Sequence, residues 1–245
     1  MKRNVTMAEI SDGNLYTAND MVKADCRDCE GCSACCRNMG SSLQLDPYDI
    51  WQLSTGLGKY FEEMLQSGWI ELGVTDGMIL PYLKTNQDAG DGDADVNVDA
   101  ESKGACPFLN QEGRCKVHAF RPGICRLFPL GRYYEEDGNG FRYFLQIHEC
   151  QKTDRTKIKV KKWLGIPELK HYEAYIVSWH HLLKTCEEST GELSEEEQKI
   201  LQMVMLRTFY QTPYPGKNKE DLEQPEQFYE AYEERRQMIR EKLGL

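Results

Sequence analysis

Long apolar runs, histidine and positive charge are what this sequence has least of. No stretch approaches the roughly eighteen apolar residues of a membrane span, and the opening MKRNVTMAEISDGN holds two basic residues without an apolar run of signal-peptide length. The expectation is a cytoplasmic protein with no membrane partner. A net charge of −10 disfavours non-specific attachment to nucleic acid. With five histidines and neither G-x-S-x-G nor H-E-x-x-H, hydrolase chemistry has no support. Gly56-Leu57-Gly58 is a fragment of a dinucleotide fingerprint, and it fails because Phe61 takes the last small-residue position. No catalytic residue is assigned, and whether the chain is an enzyme stays open.

Cysteine, in contrast, is concentrated. Five of the ten, Cys26, Cys29, Cys32, Cys35 and Cys36, fall within eleven residues. Repeated two-residue gaps make a tight loop whose thiolates converge, as in zinc knuckles and ferredoxins, whereas such short gaps make disulfides within the run sterically poor. A reducing compartment points the same way. Cys26, Cys29, Cys32 and Cys36 follow the bacterial ferredoxin order, with Arg37 where proline is expected. Cys29, Cys32, Cys35 and Cys36 form an alternative register, and spacing does not choose between them. At 245 residues the chain needs no metal for lack of bulk.

Further along, CPFLNQEGRCKVH carries Cys106 and Cys115 about a Glu112-Gly113 turn. FRPGICRLFPLGR carries Cys125 between Arg121 and Arg126, and Cys150 follows a hairpin. An anionic thiolate site would be stabilised by guanidinium donors, so Arg121 and Arg126 are candidate cofactor-binding residues. His118, three residues after Cys115, permits a mixed cysteine-histidine site. Cys186 falls on an apolar helical stripe and reads as an inert buried thiol, while His180 and His181 have no ligand spacing.

These motifs together resemble the CxxCxxCC family, also called YkgJ-type cysteine cluster proteins and described as zinc- or iron-chelating. The resemblance rests on Cys29, Cys32, Cys35, Cys36, Cys106-Pro107-Phe108-Leu109, Cys115, Arg121-Pro122, Cys125-Arg126, Phe128-Pro129 and Cys150, over residues 26–150. It implies eight metal-ligating cysteines, from which Cys26 is left out. It supports chelation more firmly than catalysis, although flagellin lysine N-methylases carry a related domain. The expected cofactor is an iron-sulfur cluster serving electron transfer or redox sensing with a protein redox partner. The alternatives are a zinc-binding structural or interaction module and, less favoured, a methyltransferase-related protein.

The expected fold class is α+β: an irregular, metal-stapled cysteine-cluster core with short strands and hairpins, followed by C-terminal helices. Residues 1–20 read as an arm, 21–165 as the metal-binding domain and 166–245 as a helical region. The acidic stretch within 84–104 reads as a solvated loop, since a calcium loop begun at Asp91 would have Val96 and Ser102 at its glycine and glutamate positions. A short strand is expected over 42–45, then a helix capped by Asp46 with Pro47 first and ended by the glycines at 56 and 58, and a second helix over 59–66. Hairpins are expected about residues 75–77 and 137–140, and a lysine-protected edge strand over 156–160. Leu169, Tyr172, Ile176, Trp179, Leu183 and Cys186 mark one helix, a Ser194–Glu197 capping box opens the next, and the last runs over 226–242.

Overall fold

The structure is a computed structural model that describes residues 6–27, 32–37, 43–85, 104–191, 193–216 and 218–244. Cys29 and most of the acidic 84–104 stretch lie outside the described residues. Helices and short strands are mixed, as an α+β class requires, and among the described residues every strand belongs to one of three two-stranded antiparallel ribbons. β1 (Met21–Asp25) pairs with β6 (Thr156–Lys159), β2 (Ile70–Thr75) with β3 (Met78–Leu83), and β4 (Leu130–Tyr134) with β5 (Phe141–Leu145).

Local chemistry explains the strongest elements. Asp46 caps α2 (Pro47–Leu57) by accepting the Asp49 N–H at 2.9 Å, and Asp49 returns a carboxylate to the Asp46 N–H at 3.1 Å. The helix runs through Gly56, which the sequence reading took as an interruption. A Cβ there would stand 2.4 Å from the Phe120 ring, so the glycine serves a close approach between segments. α3 (Phe61–Gln66) begins two residues later than expected. The β2–β3 hairpin turns on Asp76 and Gly77, both at positive φ (48° and 77°), the conformation a two-residue hairpin demands.

Three expectations shift. Residues 43–45 run along the free edge of β3 through a single Gln44–Tyr82 bridge, and Ser42 lies outside the described residues. The edge strand stops at Lys159, because Val160 is fully buried and starts the short helix α5 (Val160–Leu164). Its partner β1 was not anticipated. Within the expected arm, a short helical turn, α1 (Met7–Ile10), is followed by bridges from Ser11 to Gln146 and from Tyr16 to Tyr143, which lay the chain along β5.

α4 (Gly123–Leu127) is a single turn that carries Cys125. Three longer helices close the molecule. α6 (Leu169–Thr190) buries Tyr172, Tyr175, Ile176, Trp179, Leu182 and Cys186; the inward residue is Leu182, with Leu183 only half-buried. α7 (Glu195–Leu206) opens on the Ser194–Glu197 capping box and runs into a π-helical turn that buries Phe209 and Tyr210. α8 (Glu226–Leu243) sets Phe228 and Tyr232 against Tyr175, with ring centroids at 5.4 and 4.7 Å. Among the described residues, no helix is long and apolar enough to cross a membrane. One apolar cluster extends from Val22 to Ile239 and brings α2, β3, α6, α7 and α8 together.

Candidate metal centre

Cys106 and Cys115 sit at equivalent points of two tight turns. The Leu109 N–H donates to the Cys106 carbonyl at 3.0 Å, and the His118 N–H to the Cys115 carbonyl at 3.3 Å. Between them Asn110 holds the loop, its Oδ1 accepting the Glu112 and Arg114 N–H groups at 3.1 and 2.7 Å. Burial raises the pKa of both thiols. Opposing that, the Phe108 and Leu109 N–H groups favour the Cys106 thiolate, and the Val117 N–H followed by the Arg121 guanidinium favour that of Cys115.

The first cysteine loop is tied to this hairpin through its backbone. Cys36 ends a 3-10 turn, Ala34–Cys36, and its carbonyl accepts the Cys106 N–H at 2.8 Å, while Arg37 bridges to Ala105. Cys125 is pushed well above its ordinary pKa, first by burial and then by Cys106, Asp49, Cys115 and Cys35 around it. Accordingly Cys32, Cys35, Cys36, Cys106, Cys115 and Cys125 line one cavity of about 1100 Å³. Cys150 lines a second, narrower pocket with Cys26, Cys32 and Cys35, so Cys32 and Cys35 stand between the two. The structure thus brings seven of the eight expected cysteines to two adjoining spaces and adds Cys26. Cys186 lines neither, and burial pushes its pKa up to about 11. No group of three or more His, Cys, Asp or Glu side chains among the described residues already has metal-holding geometry.

The two candidate arginines have different surroundings. Arg121 lines the main cavity and contacts the His118 ring at Nε2. Arg126 instead spends its guanidinium on carbonyls: Ala119 at 2.5 Å, Arg121 at 3.2 Å, Gly165 at 3.3 Å and Leu164 at 3.5 Å. It fastens α4 to the end of α5.

The sequence reading missed a polar group on the same cavity. Asp49 accepts the Gly123 N–H at 2.6 Å, and burial together with Asp46 raises its pKa well above the carboxylate range. Arg132, on β4, faces the same space. Asp46 had signalled only a helix cap, and neither Asp49 nor Arg132 had been singled out.

A thiol-rich, partly desolvated donor set of this kind fits a soft or borderline metal. Residues 28–155, just over half the chain, match the CxxCxxCC family, described as "Putative zinc- or iron-chelating domain". The chain belongs to the CxxCxxCC family. No curated protein and no solved structure matches it. Membership supports metal chelation and agrees with the cysteines that the fold draws together.

Proposed function

We propose that this CxxCxxCC protein holds an iron-sulfur cluster and serves electron transfer or redox sensing in the cytoplasm with a protein partner. The observation that carries this reading is the convergence of six cysteines from three separate segments on one cavity. Arg121 beside Cys115 supplies positive charge to an anionic thiolate centre. The proposed ligands are drawn from Cys29, Cys32, Cys35, Cys36, Cys106, Cys115, Cys125 and Cys150, with residues 21–165 as the metal-binding domain. A bound cluster would supply a one-electron couple. The protein's own part is to hold the thiolates, present backbone N–H groups to them and keep water away.

A zinc-binding module is the second reading, favoured by the paired turns at Cys106 and Cys115, whose N–H groups suit a structural knuckle. Purification without oxygen, with iron, acid-labile sulfide and zinc measured per chain, separates the two. Iron with sulfide and a brown colour is the expected result. Stoichiometric zinc in a colourless protein overturns the iron-sulfur reading, and a chain that takes up neither metal overturns both.

A further inference from the structure

The cavity beside the thiols is far larger than a metal site alone needs, and about 1100 Å³ lies just above the usual range for small-molecule pockets. Away from the cysteines its wall is mostly apolar and aromatic, with Leu80, Leu130, Phe144, Ile176 and Trp179 among the lining residues. Into this wall β4 sets Arg132. Its Nη2 donates to Tyr172 Oη at 3.0 Å, and its Cζ lies 5.6 Å from the Phe141 ring centre and 5.7 Å from that of Tyr172. Its Nε is sealed from solvent without a hydrogen-bond partner among the described residues. No ion pair joins Arg132 to a carboxylate there either. A guanidinium has five donors and does not lose its charge; here the Tyr172 and Tyr134 hydroxyls and the charge of Asp46 answer part of it, and Nε is left without a partner.

The neighbouring acids are engaged elsewhere. Asp46 Oδ1 accepts the Asp49 N–H and the Tyr175 hydroxyl at 3.1 Å, and Asp49 accepts the N–H groups of Gly123 and Asp46. From α6, His180 lies stacked on Tyr134 with Lys184 and Glu187 beyond it on the same wall. Arg126 provides a contrast, because each of its three nitrogens donates to a carbonyl.

We propose that this chamber binds a small organic acid, its carboxylate held by Arg132 and its apolar body lying along the wall that leads to the cysteines. The site stands on Arg132 and the cavity, so it does not require the iron-sulfur reading. Its position does mean that a bound acid would share one cavity with any metal held by Cys125, Cys106 and Cys115.

The test uses three molecules of one shape: 4-phenylbutyrate, its neutral amide and the corresponding 4-phenylbutylamine. Binding to the full chain as purified, with its metal content measured, would be followed by calorimetry and by tryptophan fluorescence, since Trp163 and Trp179 line the cavity. The expected result is one saturable site per chain that prefers the carboxylate at least tenfold over the amide. Arg132→Gln should abolish that preference while amide binding persists, and Arg132→Lys should keep part of it. Equal binding of acid and amide, preference for the amine, no saturable binding, or an Arg132→Gln variant with unchanged preference would each overturn the proposal. The comparison on the unaltered protein decides the matter even if that variant does not fold. Carboxylate binding by a chain that takes up no metal would leave this inference standing while the metal reading fails, and the converse result would do the reverse.

Discussion

Two arginines five residues apart have different work to do. Arg126 is buried and joins four carbonyls from two segments, so its planar fork has a geometric task that an ammonium cannot copy. Arg121 lies on the cavity wall and favours the Cys115 thiolate. Arg126→Lys should therefore destabilise the protein by about 1.5–3 kcal/mol, the scale of hydrogen bonds to a charged group, with metal content per folded chain unchanged. Arg121→Gln should have the smaller effect on urea unfolding but weaken metal retention against a competing chelator. If the two variants exchange these phenotypes, the assignment of Arg121 to the metal centre is wrong. Gly123 shows a similar local demand. A Cβ at this position would stand 2.0 Å from Tyr172 Oη, the hydroxyl that receives Arg132, so both the helix turn carrying Cys125 and the arginine depend on a glycine there.

At the scale of elements, thiols are sorted by what carries them. Cys125 rides on α4, held by Gly123 against Asp49, and faces Cys106, Cys115 and Cys35, whereas Cys186 is enclosed in the core by α6. Cys125→Ser should lower metal content, and Cys186→Ser should leave it intact; equal loss in both would refute the ligand assignment. The same sorting shows what could be read in the sequence. α2 was legible because Asp46 and Pro47 act within one turn, and the β2–β3 hairpin because Asp76-Gly77 dictates its own backbone. β1 was not. Its five residues alternate exposed and buried, but the strand beside them is β6, more than a hundred residues on, and such pairing leaves no local mark. Cysteine spacing disclosed the metal-binding residue type, yet it could not reveal that Cys32 and Cys35 border two spaces or that Cys26 faces one of them. Arg132 was invisible for the same reason, since its setting is built by β4, β5 and α6 together.

At the scale of the whole molecule, the fold's dependence on a bound metal can be argued from where the core lies. In small zinc domains the metal supplies the folding free energy, and chelation unfolds them. Here the apolar cluster runs from β1 to α8, and its largest fully buried side chains, Tyr48, Tyr143, Tyr172, Phe209 and Phe228, lie outside the cysteine segments. Cys106, Cys115 and Cys125 only pack against its border. A metal held there would fasten the first loop and the 106–115 hairpin, which itself buries Phe108, to a body whose largest buried side chains come from other segments. Chelation should accordingly leave the far-UV helical signal and a cooperative melt in place while lowering Tm, by about 2–4 °C for each kcal/mol that the metal contributes at this chain length. Protease cleavage of the metal-free protein should then concentrate in the cysteine segments, while α6, α7 and α8 stay protected. Loss of the whole helical signal on verified metal removal would show that the metal staples the entire fold. Unchanged Tm and cleavage would show that the thiols contribute nothing to stability when loaded, which would leave their convergence to be explained by chemistry alone.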